Sequence, residues 1–104
     1  MKNKSLASFI IVNYNGEKYL PRLIKSILSQ STKSSEIIMV DNQSTDNSVD
    51  LVKQQFPTVK IVLSSNIGYG RGCNLGAKYS SGNYLIFLNP DTYLATLADD
   101  GYLK

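Results

Sequence analysis

The segment Tyr84-Leu85-Ile86-Phe87-Leu88-Asn89-Pro90-Asp91-Thr92 decides how this chain is read. Its unbroken apolar run predicts a strand buried on both faces, of the kind found inside a parallel sheet. The run stops at Asn89-Pro90-Asp91. Proline has no N–H to donate to a ladder and fixes its own φ, so the strand ends there. One carboxylate, Asp91, is thereby left at the carboxyl edge of a strand, where ligands bind in open α/β sheets.

Working outward, three more strands precede it. Leu6 to Val12 is β-branched and aromatic towards its end, Glu36 to Asp41 is a second apolar run closing on a carboxylate, and Val59 to Leu63 is a third. Between the first two, Tyr19, Leu20, Leu23, Ile24, Ile27 and Leu28 recur at helical spacing, predicting a helix from about Glu17 to Gln30 with Pro21 in its first turn. Asn42 to Ser48 is dense in side chains that accept hydrogen bonds from free backbone N–H groups, as a turn and helix start require. Val49, Val52 and Phe56 mark one face of the helix that follows, which Pro57 stops. A glycine-rich loop, Ser64 to Gly72, leads into a third helix over about Arg71 to Tyr79. The order β-α-β-α-β-α-β leaves successive strands too far apart for hairpins. The expected fold is therefore α/β, a Rossmann-like parallel sheet with right-handed crossovers and helices on both faces.

At 104 residues the chain forms one domain at most, with Tyr93 to Lys104 a tail of weak periodicity. Lysine and arginine exceed aspartate and glutamate by 11 to 8 and are scattered, so nothing points to a nucleic-acid partner. With no histidine and one cysteine, Cys73, neither a zinc site nor an internal disulfide is expected. No segment has the length of a membrane span or the pattern of a signal peptide, making the cytoplasm the expected compartment.

A parallel sheet delivers every strand's carboxyl end to one edge, so four polar clusters converge: Asn13-Tyr14-Asn15, Asp41-Asn42, Asn66 to Gly76, and Asn89-Pro90-Asp91. Each has a plain reading beside the functional one. Tyr14 is either a surface aromatic or a ring that stacks on a planar base. Asp41 either caps the next helix or accepts the imide N–H of a pyrimidine. Gly68, Gly70 and Gly72 give either a pliant loop or close backbone approach to a ligand, with Arg71 able to pair with phosphate. Asp91 is a turn residue or a ligand for magnesium or manganese, ions that complete their shells with substrate phosphates and water. A structural sheet by itself gains nothing from carboxylates at successive strand ends.

Taken together, Phe9 to Gly16, Val40 to Asp46, Asn66 to Gly76 and Leu88 to Thr92 resemble a family 2 glycosyltransferase, in the rhamnosyltransferase-like branch. The resemblance covers Ser5 to Thr92. It implies a GT-A fold, a nucleoside-diphospho-sugar donor such as a UDP- or dTDP-sugar, a divalent metal (Mg²⁺ or Mn²⁺) and inversion at the anomeric carbon. By position, Asn13, Tyr14 and Asn15 lie beside the nucleoside and Asp41 takes the base, with Asn42 next to it. Asn74 and Gly76 match the asparagine and glycine of the loop-helix motif. Asp91 is the retained metal ligand, and Asn89 replaces the first acid of the Asp-x-Asp motif. Cys73 stands where many members carry arginine.

The family's acceptor site and catalytic base are not recognisable after Thr92, where Asp99 and Asp100 are the only acids. The expectation is a shortened GT-A domain, carrying the donor-binding half and no catalytic residue. A membrane-associated acceptor would belong to a full-length enzyme acting at the inner face of the membrane. The rival expectation is a non-catalytic module, a homo-oligomer whose self-association covers the face that a second half would occupy. A dinucleotide-binding domain fits less well, because its Gly-x-Gly-x-x-Gly belongs after the first strand and the glycines here follow the third.

Overall fold

A computed structural model of the chain describes residues 7–30 and 35–92. Four strands, β1 (Ala7–Asn13), β2 (Glu36–Asn42), β3 (Lys60–Ser64) and β4 (Tyr84–Leu88), alternate with helices α1 (Leu20–Gln30), α2 (Ser48–Gln55) and α3 (Tyr69–Lys78). All pairings are parallel and the order across the sheet is β3-β2-β1-β4. The β-α-β-α-β-α-β expectation therefore holds, with element boundaries displaced by one to three residues. The first helix begins at Leu20 rather than Glu17: Glu17 to Tyr19 form a turn whose closing bond runs from Tyr19 N to the Gly16 carbonyl at 2.8 Å. The tail beyond Thr92, with Asp99 and Asp100, lies outside the described residues.

Side-chain alternation on the central strands builds two apolar layers. Phe9, Ile11, Ile37 and Met39 face Leu20, Leu23, Ile24 and Ile27 of α1, Val52 of α2 and Phe56 just after it. On the opposite face Ile10, Ile38 and Val40 pack with Val62 and with Leu75 and Ala77 of α3. The α3 helix comes close because two of its residues lack a Cβ. A Cβ on Gly72 would lie 2.7 Å from Val12 Cγ1, and one on Gly76 would lie 3.2 Å from Val40 Cγ2 and closer still to Ile10 Cγ2. The helix is thus seated one methyl group nearer the sheet than an alanine would permit.

One expectation fails. The strand Tyr84–Leu88 is not buried on both faces: β4 is the sheet's edge, paired only with β1 among the described residues. Leu88 is 8% exposed, but Tyr84 is 67%, Leu85 40%, Ile86 36% and Phe87 40% exposed. Register puts Leu85 and Phe87 on the α3 face beside Ser8 and Ile10, yet α3 is centred over β1 and β2 and does not cover them. Apolar composition specifies what a strand can bury against, whereas its place in the sheet is set by topology. Among the described residues no helix is long and apolar enough to cross a membrane.

Candidate functional site

The strand order locates the site. From β1 the chain steps to β2 and then β3 in one direction, with α1 and α2 on one face. From β3 it returns through α3 on the other face to β4, on the far side of β1. The direction of winding reverses at β1, whose neighbours β2 and β4 are reached by opposite routes, and the carboxyl ends of β1 and β4 lie side by side at that point. A cleft of about 330 Å³ lies there, lined by Val12, Tyr14, Asn15, Gly16, Tyr19, Asn89, Pro90 and Asp91. Two of the clusters singled out in the sequence, those after the first and fourth strands, therefore form its walls.

Each wall has a local cause. On the β4 side, Thr92 N donates to the Asn89 carbonyl at 2.9 Å, closing a four-residue turn with Pro90 at its second position. Proline's fixed φ suits that position and leaves Asp91 at the turn's exposed corner, with Asn89 exposed beside it. On the β1 side Asn15 has a positive φ of 54°, which asparagine tolerates better than most residues. That conformation lets Asn15 Oδ1 accept from Thr45 N at 2.8 Å and Asp46 N at 3.2 Å. Tyr14, 54% exposed, projects from the same loop. Tyr19 joins the wall with Lys18 Nζ 5.7 Å from its ring centroid.

Beneath the cleft the ends of β1 and β2 are locked side by side. Asn13 and Asp41 are register partners, 0% and 3% exposed. Asn13 Nδ2 donates to Asp41 Oδ1 at 2.8 Å and to Ser44 Oγ at 3.2 Å, while its own Oδ1 accepts from Gly16 N at 3.0 Å. Ser44 adds two bonds to the carboxylate, Oγ to Oδ1 at 2.8 Å and N to Oδ2 at 2.9 Å. Asp46 accepts from Glu17 N at 3.1 Å and from both N and Oγ of Ser48 at the start of α2. Burial acts to raise the Asp46 carboxyl, but these donors outweigh it and hold the group below its ordinary value. No buried side-chain nitrogen or oxygen lacks a partner among the described residues.

The other sequence-predicted residues sit apart from the cleft lining. Asn42 is buried and accepts from Ser64 Oγ at 3.1 Å, joining β2 to β3. Gly68 precedes α3 with φ +89°, a conformation that favours glycine. Arg71 and Asn74 are exposed on α3 and are absent from the residues that line the cleft. Cys73 is a free, half-buried thiol that meets the Tyr69 hydroxyl one turn earlier; burial and that contact push the Tyr69 hydroxyl's pKa up. Sequence reading missed Gly16, Tyr19 and Ser44. The Ser44 signal was present in the Asp41-Asn42-Gln43-Ser44 spacing, where a carboxylate reaches the N–H three residues on.

For a metal, the donor set is sparse. No three Asp, Glu, Cys or His side chains converge among the described residues. Asp91, exposed on the cleft wall, offers one carboxylate with the Asn89 amide close in sequence. That fits an ion such as Mg²⁺ or Mn²⁺, which takes most of its shell from phosphate and water, and does not fit an ion held wholly by protein.

The comparisons with known proteins agree with this geometry. Residues 8–97 match the family model described as glycosyl transferase family 2. An uncharacterized glycosyltransferase of Nostoc sp. is 41% identical over 88 residues, covering 81% of this chain and 27% of the relative. S. aureus TarS 1-349 in complex with UDP superposes with a TM-score of 0.81 at 26% identity, covering 94% of this chain and 31% of that one. The same protein in complex with UDP-GlcNAc gives 0.73 at 28% identity, over 85% and 27%. The chain spans 27%, 39% and 29% of the length of three of the curated relatives it matches. With its Rossmann-like sheet of the GT-A kind and a cleft at the point where the winding reverses, the chain belongs to glycosyl transferase family 2.

Proposed function

We propose that this chain binds the donor of a sugar transfer, a nucleoside-diphospho-sugar with a uracil or thymine base, across the carboxyl ends of β2, β1 and β4. The observation that carries the reading is the cleft between β1 and β4, where the Tyr14-Asn15-Gly16 loop and the Asn89-Pro90-Asp91 turn face each other. In it Tyr14 stacks on the base, and Asp41 accepts the imide N–H at the neighbouring strand end. Asn13 and Asn15 hold the nucleoside side of the cleft in shape, with Asn42 behind them. Gly68, Arg71 and Asn74 approach the donor from the loop and first turns of α3, the Arg71 guanidinium offering a charge-assisted bond to phosphate. Asn89 and Asp91 face the diphosphate, and Asp91 holds Mg²⁺ or Mn²⁺. A bound divalent ion there supplies positive charge against the departing diphosphate. The complexes of TarS with UDP and UDP-GlcNAc support the donor class.

In the complete reaction the sugar passes to an acceptor hydroxyl with inversion, and Asn89 in place of the first acid favours the rhamnosyltransferase-like branch. A positioned base typically contributes about 10²–10⁴-fold to such a step, and this reading assigns that role to none of these residues. The role proposed for these residues is accordingly donor binding. Calorimetric titration with UDP and dTDP in the presence of Mn²⁺ tests it. Saturable binding is expected, weakened roughly tenfold or more by Asp91→Ala, the loss of one charged ligand. Absence of binding to the wild type would remove the reading.

The exposed Tyr84, Leu85, Ile86 and Phe87 favour a second reading, a self-associating module that pairs through the β4 edge. Light scattering distinguishes the two: a monomer across the accessible concentration range leaves donor binding alone.

A further inference from the structure

We propose that Ser44 is the positioning residue that sets base selectivity, by fixing the one acceptor site that Asp41 keeps free. The proposal rests on the reading above, in which Asp41 meets the base. A carboxylate offers about four acceptor positions. Three are used within the chain: Asp41 Oδ1 accepts from Asn13 Nδ2 and from Ser44 Oγ, each at 2.8 Å, and Oδ2 accepts from Ser44 N at 2.9 Å. The remaining position is on Oδ2.

The Ser44 hydroxyl is itself saturated. Its single proton goes to Asp41, while its oxygen accepts from Asn13 Nδ2 at 3.2 Å and from Asn15 N at 2.9 Å. Ser44 thus holds both oxygens of the carboxylate and, through Asn15, the loop that carries Tyr14. Two parts of a base site, the stacking ring and the edge acceptor, are set relative to each other by this one residue: its hydroxyl ties Asp41 Oδ1 to the Asn15 backbone, while its N–H holds Oδ2.

A fixed acceptor discriminates by chemistry. Uracil and thymine present an N–H at ring position 3, which one free carboxylate position accepts. Cytosine presents a lone pair at that position and carries its donors on the neighbouring exocyclic amine. A carboxylate free to turn can move to that amine, whereas one pinned by Ser44 meets the lone pair and is left unpaired. Rejection of cytosine therefore depends on the Ser44 hydroxyl as well as on Asp41.

The test is calorimetric binding of UDP and CDP, with Mn²⁺, to wild type, Ser44→Ala, Ser44→Cys and Ser44→Thr. Wild type should favour UDP by roughly 10–100-fold, the discrimination carried by one hydrogen bond to a charged group. Ser44→Ala, which keeps the N–H bond to Oδ2 but loses the hydroxyl's hold on Oδ1 and on Asn15, should lower the ratio by about threefold or more, chiefly by weakening UDP, and Ser44→Thr should restore it. Ser44→Cys, close in size but a poor donor, should behave like alanine and serves if the alanine variant does not fold. Equal weakening of UDP and CDP, or a threonine variant that leaves the ratio collapsed, would overturn the proposal by showing a merely structural role. Wild type that binds neither nucleotide would overturn the donor-binding reading, and this proposal with it.

Discussion

Gly16 and Pro90 close the cleft between β1 and β4 by direct contact. A Cβ atom on Gly16 would lie 2.7 Å from Pro90 Cβ and would also collide with Asn13 Oδ1. The first turn of the chain and the Asn89-Pro90-Asp91 turn, more than seventy positions apart, are thus fitted to each other with no room for a methyl group. Gly16 N also donates to Asn13 Oδ1, so the same residue ties the cleft wall to the buried network beneath.

Gly16→Ala should therefore destabilise the fold by about 1–3 kcal/mol through overpacking. For a domain of this size each kcal/mol is worth about 4–8 °C in melting temperature. Donor affinity should fall as well, because relief of the clash moves Pro90 and with it Asp91. Thermal melting paired with UDP titration checks both effects, and an alanine variant with wild-type melting would show that the contact yields freely.

Within α3 the glycines predict changes of opposite sign. A Cβ on Gly70 would meet nothing within 4 Å, whereas one on Gly76 would run into Ile10 and Val40. Gly70→Ala should stabilise by up to about 1 kcal/mol, the helix-propensity difference. Gly76→Ala gains the same propensity but loses more to overpacking, and should be less stable than wild type by about 1–2 kcal/mol. Urea denaturation of the two variants measures the contrast, which two shifts of the same sign would refute.

At the opposite end of the sheet, Glu36 Oε2 accepts from Ser8 Oγ at 2.6 Å, Ser81 N at 2.5 Å and Ser81 Oγ at 3.1 Å, while Gly82 N donates to Ser8 Oγ at 2.9 Å. This cluster fastens the α3–β4 turn to β1 and β2. Burial pushes the Glu36 carboxyl up, but the bonds from Ser8 and Ser81 and the Lys60 charge outweigh it and hold it below its ordinary 4.5. A depressed carboxyl contributes stability that is full above pH 4.5 and is lost as pH falls through the lower folded value. Glu36→Gln should cost about 1–2 kcal/mol at pH 7 and lose less stability than wild type on acidification below pH 4.5. Parallel acid dependence in the two proteins would show that Glu36 does not titrate with folding.

Much of this was legible in the sequence because period and punctuation agreed. Leu20, Leu23, Ile24 and Ile27 recur at helical spacing and are all buried, and Pro57 and Pro90 end their elements where their missing N–H groups require. The convergence of strand ends followed from parallel pairing alone. Strand order was not legible, since the run Tyr84 to Leu88 has the composition of a central strand and occupies an edge. The division of labour among the glycines was hidden too. Gly72 and Gly76 look like part of a ligand loop, but each makes room for a side chain of the sheet below. Ser44 was one polar residue in a polar run, and its importance lies in contacts with Asn13 and Asn15 some thirty positions earlier.

The central claim is that the donor nucleotide binds at the carboxyl ends of β1 and β4. Titration of UDP with Mg²⁺ into ¹⁵N-labelled protein, followed by amide chemical shifts, tests it most directly. The account predicts saturable shifts at Tyr14 to Gly16, Asp41 to Ser44 and Asn89 to Asp91, with Ser8, Glu36, Ser81 and Gly82 at the far edge unmoved. Shifts concentrated at that far edge, or none that saturate, would contradict it.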